Sequence, residues 1–308
     1  MRTLLTGVDS FIGSNLAKTL VTSGDEVFGL SRREEGCRAG VTRLKGDIGD
    51  ADLVRKVIER SKPDRIFHLA AQSRIPYSFS HPQETVSVNV IGSLNLFEVV
   101  RSSAAPTVLV SVGSSAEYGR MASRFEYIGE EQPLEPTSPY GISKASQGML
   151  GGLYARVYNL RLMHVRPFAI IGPGKEGDAL GDFCQRIVEI EGGQGDVLHV
   201  GNLSAFRDFV DIRDCVAALV LVSQKGKPGE TYNICNGRAA SLNDMVQLLQ
   251  KLSTRPFTLV ADAQRGRPSD DPRIVGNNEK LCGLGYTPRY AFEDTVRDAL
   301  DFWRKSKR

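Results

Sequence analysis

The chain alternates short apolar runs with stretches that have the periodicity of amphipathic helices, and this alternation covers its first half. The predicted strands are residues 3–5, 26–30, 41–45, 65–69, 107–112 and 163–169. The predicted helices are residues 14–23, 53–60, 85–100 and 143–158. Strands that alternate with helices form parallel sheets with helices on both faces, joined by right-handed crossovers. The sequence therefore predicts an α/β fold with a doubly wound parallel sheet.

The pattern changes after Gly172-Pro173-Gly174, a tripeptide that breaks regular structure. A mixed segment runs from there to about Ala205. A strand at 209–212, a helix at 214–223 and a buried strand at 231–234 are expected to rejoin the sheet, and helices follow at 241–252 and 292–303. We therefore predict a large domain, residues 1–168 with the returning segment 208–236, and a smaller lobe, residues 169–207 and 237–308.

The charge balance and the apolar runs exclude several classes of protein. The chain has 39 basic and 36 acidic side chains, a net charge of +3, which is too balanced for a protein that binds nucleic acid through bulk charge. Its apolar runs are far shorter than the roughly 20 residues of a membrane span. The start of the chain has no signal-peptide pattern, and the four histidines show no metal-ligand spacing. We expect a cytoplasmic protein without a metal, a membrane or a nucleic-acid partner.

The loop after the first strand has the composition of a phosphate-binding turn. It carries Gly7 and Gly13, and Ser10 stands where a G-x-x-G-x-x-G loop has its middle glycine. Glycine lets the backbone approach a pyrophosphate, and the N-terminus of the following helix favours anions. We assign Gly7, Ser10, Phe11, Ile12 and Gly13 to cofactor binding. A tight strand-to-helix turn without a ligand is the alternative interpretation.

The second strand ends in Ser31-Arg32-Arg33 and has no carboxylate at its end. An acid there would bind the ribose of NAD, whereas arginines suit the 2′-phosphate of NADP. The sequence therefore favours NADP(H) over NAD(H), although two solvated arginines would give the same pattern and Glu34 and Glu35 lie close by. Asp47 and Ile48 after the third strand, and Leu69, Ala70 and Ala71 after the fourth, are further candidate cofactor residues.

Tyr140 and Lys144 are four residues apart and fall on one helix face. A ketone reduction needs a proton donor at the oxygen, and a nearby ammonium can lower the pKa of a phenol from its usual value of about 10. Ser114 follows the strand upstream, where α/β sheets bind ligands, and its hydroxyl can bond to a substrate carbonyl.

The phosphate loop, the strand-end serine and the Tyr-Lys helix, in this order, resemble the extended branch of the short-chain dehydrogenase/reductase superfamily from Thr6 to Trp303. The resemblance implies a Rossmann fold with a smaller C-terminal lobe that binds a nucleotide sugar. It also implies that Ser114, Tyr140 and Lys144 are catalytic, with Tyr140 as the acid/base and Lys144 on the nicotinamide ribose. We further assign Pro167 to the cofactor.

The turn after Ser114 bears on the reaction. Related sugar 4,6-dehydratases carry threonine and then an acid there, whereas this chain has Ser115 and Ala116, with Glu117 one place off. Elimination is therefore disfavoured, and reduction or epimerisation at C4 remains. We assign Ser73, Ser115 and Glu117 to the substrate.

Three segments most resemble the reductases that act on GDP-4-keto-6-deoxy-D-mannose. They are residues 138–146, residues 207–211, and residues 267–270 with Asn277, Lys280 and Leu281. The resemblance implies reduction of the C4 keto group to GDP-D-rhamnose or its C4 epimer, with Arg207 and Arg267 on the diphosphate and Asp270 also on the substrate. Surface salt bridges are the alternative for the two arginines.

One departure from the family leaves other functions open. Relatives have asparagine where this chain has Ala169, so that substrate contact is missing. A C4 epimerase or a 4,6-dehydratase with tightly held NAD(P) is the main alternative. A dinucleotide sensor without catalysis is disfavoured by the Tyr-Lys pair.

The helices at 85–100 and 143–158 carry apolar residues beyond one stripe, which indicates a second buried face. These residues are Val86, Val88, Val90, Leu94, Leu96 and Phe97 on the first helix, and Met149, Leu150, Leu153 and Tyr154 on the second. The resembling family pairs these helices in a homodimer, so a homodimer is expected here.

Overall fold

The computed structural model describes residues 1–33, 39–103, 105–262 and 272–307. The strands are Arg2–Thr6 (β1), Glu26–Ser31 (β2), Val41–Lys45 (β3), Arg65–His68 (β4), Val108–Val112 (β5), Arg161–Pro167 (β6), Ala169–Ile171 (β7), Val197–Val200 (β8), Phe206–Arg207 (β9), Phe209–Asp211 (β10), Thr231–Ile234 (β11), Ala240–Ser241 (β12), Thr258–Ala261 (β13) and Arg273–Ile274 (β14).

The helices are Phe11–Thr22 (α1), Ala51–Ser61 (α2), Ile75–Ser80 (α3), Pro82–Val86 (α4), Gly92–Ser102 (α5), Pro139–Tyr158 (α6), Ala179–Glu191 (α7), Ile212–Lys225 (α8), Leu242–Leu252 (α9), Glu279–Cys282 (α10) and Phe292–Ser306 (α11). A π-helical turn at Ser87–Ile91 joins α4 to α5, and 3-10 turns form at Ser115–Glu117 and Arg120–Ser123. No helix in these ranges is long and apolar enough to cross a bilayer.

Seven strands form one parallel sheet in the order β11-β6-β5-β4-β1-β2-β3. Successive residues of a strand point to opposite faces, so Leu4 and Ile66 pack toward α2, α5 and α6, whereas Leu5 and Phe67 pack toward α1 and α8. Helices therefore cover both faces, and the predicted α/β fold with a Rossmann-type doubly wound sheet is confirmed.

A third apolar cluster lies among α7, α9 and α11, and it forms the centre of the smaller C-terminal lobe. Phe183, Ile187, Met245, Leu249 and Leu300 belong to it. The segment 208–236 contributes β11 to the central sheet and α8 to the layer beside α1. The domain boundaries themselves stay a prediction.

The expectation that a strand at 209–212 rejoins the central sheet was wrong. β10 pairs with β7 in a separate two-stranded sheet, with Phe209 opposite Ala169. The position beside β6 is already taken by β11, whose Thr231 lies opposite His164. β10 therefore pairs with β7, the short strand that follows β6 along the chain.

Two helix boundaries differ from the sequence prediction in a way that matters for the site. The helix predicted at 143–158 begins at Pro139, because Ser138 caps it and accepts a hydrogen bond from the Gly141 nitrogen at 3.0 Å. Tyr140 therefore lies inside the first turn of α6. The helix predicted at 85–100 is the continuous run of α4, the π-helical turn and α5.

Candidate active site

A tight loop between β1 and α1 lies at the carboxyl edge of the sheet. Gly7 has a φ of 71°, and a Cβ there would lie 2.7 Å from the backbone nitrogen of Ala70. A Cβ on Gly13 would lie 2.3 Å from the Gly7 carbonyl oxygen. Both positions therefore require glycine. The N–H groups of Phe11 and Ile12, in the first turn of α1, have no acceptor within the helix and point toward any anion at its N-terminus.

Ser10, which replaces the expected middle glycine, is the N-cap of α1. Its hydroxyl oxygen accepts a hydrogen bond from the Gly13 nitrogen at 3.0 Å. A capping serine satisfies one of the unpaired donors of the first turn. The hydroxyl can still donate its own proton, so the departure from the glycine pattern is compatible with a phosphate ligand.

A partly buried polar cluster lies at the end of β2 and was missed by sequence reasoning. The Ser31 hydroxyl donates to Asp9 of the phosphate loop, and Arg43 Nη2 donates to the same Asp9 oxygen at 2.9 Å. Arg43 Nε donates to the Arg33 carbonyl at 2.8 Å, while its buried Nη1 has no partner among the described residues. Arg32 is exposed, and its Nη1 lies 3.8 Å from Asp47 Oδ2. A carboxylate therefore does reach the end of β2, but it comes from the loop and is paired with an arginine.

The other candidate cofactor residues lie at the ends of β3, β4 and β6. Asp47 is half-exposed, and its carboxylate accepts from the Gly49 nitrogen at 2.8 Å. Ile48 is buried in the core, so only its backbone could meet a ligand. Ala70 and Ala71 are partly exposed beside the loop, whereas Leu69 and Pro167 are buried.

Ser114 and Tyr140 meet at the carboxyl end of β5. Ser114 begins a 3-10 turn, and its hydroxyl oxygen accepts from the Ala116 nitrogen at 3.1 Å. The Ser114 side chain lies close enough to the Tyr140 hydroxyl to act on its pKa. Burial raises the pKa of Tyr140 to about 12, although Ser114 opposes that rise. The phenol is therefore protonated at neutral pH and can donate to an oxygen that lies beside Ser114.

Lys144 is buried one helical turn after Tyr140. Its Nζ donates to the Val112 carbonyl at 2.8 Å and to Gln147 Oε1 at 2.9 Å. Burial lowers the pKa of Lys144 to about 8. We expected the ammonium to lower the pKa of Tyr140, and this was wrong for the arrangement seen here, because the ammonium is bonded elsewhere and burial governs the phenol.

Glu117 lies beneath the site and has no exposed surface. One carboxylate oxygen accepts from the Ser114 nitrogen at 2.9 Å and lies 2.9 Å from His164 Nε2, and the other accepts from Arg166 Nε at 2.8 Å. Burial raises the pKa of Glu117, but His164 and Arg166 outweigh it and hold that pKa below its usual value. The assignment of Glu117 to direct substrate contact is corrected, because a sugar could not reach it.

The remaining substrate candidates are dispersed. Ser73 is exposed after β4, and Ser115 is partly exposed at the start of the 3-10 turn. Arg207 lies in β9, which pairs with β12 and β14, and its Nη1 donates to the Phe206 carbonyl at 2.8 Å. Arg267 and Asp270 lie outside the described residues. Within the described part of the chain, no three His, Cys, Asp or Glu side chains are grouped to hold a metal ion.

Backbone bonds join the region of β14 to the segment between Ser114 and Tyr140. The Ile128 nitrogen donates to the Val275 carbonyl at 2.9 Å, and the Asn277 nitrogen donates to the Ile128 carbonyl at 2.9 Å. Ile128 belongs to the segment that follows the 3-10 turns, and Val275 directly follows β14. The strands that carry Arg207 are therefore linked to the chain segment that leads from Ser114 to Tyr140.

Sequence reasoning missed four residues that contact the candidate catalytic residues or their neighbours. They are Ser111, Gln147, His164 and Arg166. Gln147 is three residues after Lys144 and could have been placed on its helix face. His164 and Arg166 are two residues apart in a strand whose other residues after Arg161 are apolar, which indicates a shared polar environment on one face of β6. Their partner Glu117 is 47 and 49 residues away, which no local pattern shows.

Comparisons with known proteins agree with this geometry. The model of the family described as GDP-mannose 4,6 dehydratase matches residues 4–299. The GDP-6-deoxy-D-mannose reductase of Pseudomonas aeruginosa is 28% identical over 249 residues, 80% of this chain and 82% of that protein. The UDP-glucose 4-epimerase of Mycolicibacterium smegmatis is 28% identical and is covered over 99% of both chains. The solved structure of RMD from Pseudomonas aeruginosa with NADPH has a TM-score of 0.86 at 24% identity, covers 99% of this chain and 100% of that one, and shows the shared fold.

The close approach at Gly7 generates a prediction. Gly7→Ala should weaken NADPH binding at least about tenfold, because its Cβ would displace the loop from the strand ends. Gly24→Ala is the matched control, since Gly24 also has a positive φ, 85°, but its Cβ would meet nothing within 4 Å. That control should lose only about 1 kcal/mol of stability to backbone strain. Fluorescence titration with NADPH measures both variants, and equal affinities for the two would contradict the role of the loop.

Proposed function

The chain belongs to the GDP-mannose 4,6-dehydratase family, within the extended short-chain dehydrogenases/reductases, and is an NAD(P)-dependent nucleotide-sugar oxidoreductase; from that premise we propose that it reduces the C4 keto group of a GDP-4-keto-6-deoxyhexose. The proposed substrate is GDP-4-keto-6-deoxy-D-mannose, and the product is GDP-D-rhamnose or its C4 epimer. The similarity to a GDP-6-deoxy-D-mannose reductase supports the proposal.

The choice of reaction rests on one observation, which is the burial and pairing of the Glu117 carboxylate in the turn after Ser114. Dehydration needs a base that takes the C5 proton beside the ketone. Residues 113–119 contain one carboxylate, Glu117, and it is buried and paired with Arg166. Ser115 and Ala116 cannot serve as that base. The turn therefore supports reduction over elimination.

In the proposed reaction, a bound nicotinamide supplies hydride to C4 of the sugar. Tyr140 donates its hydroxyl proton to the C4 oxygen, and the resulting phenolate recovers a proton from solvent. The Ser114 hydroxyl bonds to the same oxygen and fixes it beside Tyr140. The pKa of Tyr140, about 12, keeps the donor protonated at neutral pH. We propose that Lys144, buried one helical turn after Tyr140, would bind the nicotinamide ribose.

The residues present fit a nicotinamide dinucleotide. The loop at Gly7 and Gly13 leaves room for a pyrophosphate at the N-terminus of α1. The buried Nη1 of Arg43, without a partner among the described residues, is a donor that a ligand can satisfy at the end of β2. Together with Arg32 and Arg33, this donor favours the 2′-phosphate of NADP(H). Asp9, on the other side of Arg43, could instead accept from the ribose of NAD(H).

The diphosphate of the sugar nucleotide carries two negative charges and needs cationic partners once it is buried. We propose Arg207 and Arg267 for this role, with Asp270, Ser73 and Ser115 as further substrate contacts. The bonds that join the region of β14 to Ile128, in the segment between Ser114 and Tyr140, support this arrangement.

We also propose that the chain forms a homodimer through α4, α5 and α6. The apolar residues exposed on the described part of this face are Val86, Ile91, Ile142, Met149, Leu153, Val157 and Tyr158. Leu96, Phe97 and Tyr154, which we placed at the interface, are instead buried in the core of the monomer. A contiguous exposed apolar face of this kind marks a protein contact.

A C4 epimerase with tightly held NAD(P) is the second candidate function, since the epimerase relative is covered over its full length. Ala169 leaves the identity of the sugar open, because it lacks the amide that relatives use. A cytoplasmic location stays a prediction.

Tyr140→Phe should lower turnover of the 4-keto sugar by at least about 100-fold, because general acid catalysis contributes on that order. NADPH affinity should change little, since the ring is retained. Tyr290→Phe, which removes a hydroxyl in the C-terminal segment, is the control and should keep full activity. Loss of absorbance of the reduced nicotinamide measures both variants. More than a tenth of the activity in Tyr140→Phe would remove Tyr140 from this role.

The arginines at the end of β2 generate a test of cofactor choice. Replacement of Arg32 and Arg33 together by alanine should weaken NADPH at least about tenfold more than NADH, because a charge-assisted contact to the 2′-phosphate is lost. Arg297→Ala, an exposed arginine of α11, is the control. Calorimetric titration with each cofactor measures the difference. An equal loss for the two cofactors would show that these arginines do not bind the 2′-phosphate.

The dimer proposal predicts that the chain has twice its mass of 33.7 kDa in solution at micromolar concentration. Met149→Glu with Leu153→Glu should give a monomer, because buried charges without partners oppose association. Val260→Glu, at another exposed apolar side chain, should leave the dimer intact. Light scattering measures the masses, and a monomeric wild type would contradict the proposal.

A further inference from the structure

A chain of hydrogen bonds runs beneath the site from Lys144 to the turn that carries Ser114. Lys144 Nζ donates to Gln147 Oε1 at 2.9 Å, and Gln147 Nε2 donates to the Ser111 hydroxyl oxygen at 2.8 Å. Ser111 Oγ lies 3.4 Å from His164 Nδ1, and His164 Nε2 lies 2.9 Å from Glu117 Oε1.

The donors and acceptors of this chain agree in one direction. If His164 carries its hydrogen on Nε2, it donates to Glu117, and Nδ1 accepts from the Ser111 hydroxyl. Each bond then runs from Lys144 toward the carboxylate. The same carboxylate oxygen accepts from the Ser114 nitrogen at 2.9 Å. The Glu117 carboxylate is therefore connected directly to Ser114 and, through the hydrogen-bond chain, to Lys144.

Two glycines leave the space in which the His164–Glu117 pair lies. A Cβ on Gly113 would lie 2.0 Å from Glu117 Oε1 and 2.3 Å from His164 Nε2, and a Cβ on Gly148 would lie 2.7 Å from His164 Nε2. Neither glycine has a positive φ, so backbone conformation does not require them. A side chain at either position would clash with His164 or Glu117, so glycine is needed there for the His164–Glu117 pair to form.

We propose that Glu117 is a positioning residue that holds Ser114 through its backbone nitrogen and Lys144 through His164, Ser111 and Gln147. This inference rests on the reductase function proposed above. Glu117 does not touch the substrate, and it transfers no proton in the reaction. It fixes the hydroxyl that orients the ketone, and it keeps a negative charge beneath the lysine.

The charges around Lys144 support this role. Glu117 faces it from the 3-10 turn and His68 from β4, and His164 and Arg166 of β6 are bonded to that Glu117. Burial, Lys144 and His164 lower the pKa of His68 to about 3, so His68 is neutral. Burial lowers the pKa of Lys144, whereas Glu117 raises it, and Glu117 also raises the pKa of Tyr140. Loss of the carboxylate would leave Arg166 unopposed and lower both pKa values.

The test is Glu117→Gln, which keeps the shape of the side chain and removes its charge. We expect kcat to fall at least about tenfold at neutral pH with the KM of the sugar within about threefold. The alkaline limb of kcat should move down by about one pH unit. Glu191→Gln is the matched control, because Glu191 is likewise paired with an arginine: Arg304 donates to its two oxygens at 2.9 and 2.7 Å, but in the smaller lobe.

A second measurement separates this inference from the proposed function. NADPH affinity is measured against pH by fluorescence without any sugar. The fall in affinity at alkaline pH should begin about one pH unit lower in Glu117→Gln than in wild type. If wild type turns over no 4-keto sugar, the reductase proposal fails, while this titration still tests the positioning of Lys144.

Gln147→Leu removes the amide oxygen that accepts from Lys144 Nζ and leaves Ser114 bonded to Glu117. Because the ammonium loses an acceptor, the alkaline limb should move in the same direction, and this variant tests the proposal even if Glu117→Gln does not fold. Folded variants with wild-type pH profiles would overturn the proposal. So would a loss of thermal stability that matches Glu191→Gln with no change in the alkaline limb.

Discussion

The carboxylate of Glu117 is a full negative charge buried beneath the catalytic edge of the sheet, and the elements around it are arranged to satisfy it. A buried ion without partners is strongly unfavourable, and removal of one partner from such a pair typically costs about 3–5 kcal/mol. Arg166 and His164 of β6 and the backbone of Ser114 supply the partners. The end of β5, the 3-10 turn and β6 are therefore held in one arrangement, and Ser114 meets Tyr140 as a consequence.

The same carboxylate links the choice of reaction to the fold. Because Glu117 is paired inside the protein, the turn offers no exposed carboxylate as a base for elimination. In the proposed reduction, the phenol of Tyr140 is the group that moves a proton at the site. On the cofactor side, Asp9 and Arg43 form a similar pair at the end of β2. Glu117 pairs with Arg166 and Asp9 pairs with Arg43, and in both pairs the two residues are far apart along the chain. The sequence alone therefore shows each charge without its partner.

The alternation of apolar runs was sufficient to predict the central sheet, and β3 was predicted with its observed ends. Local signals also predicted the loop at Gly7 and the helix that carries Tyr140 and Lys144. They did not predict that β10 pairs with β7, because the partner of a strand depends on which edge of the sheet is already occupied. They placed Glu117 at the substrate for a similar reason, since its partners lie 47 and 49 residues away along the chain. The helix at Ala179–Glu191 was missed inside a glycine-rich segment whose apolar contacts come from α9 and α11.

We propose that hydride is transferred to C4 of a 4-keto sugar nucleotide at this site. The most direct measurement is incubation of the wild-type protein with GDP-4-keto-6-deoxy-D-mannose and NADPH deuterated at the transferable position, followed by NMR of the sugar product. If the chain is a 4-keto reductase, we expect one deuterium at C4, one NADPH consumed per product, and one product epimer. Interconversion of two sugar nucleotides without added NADPH and without deuterium at C4 would contradict it and would indicate an epimerase.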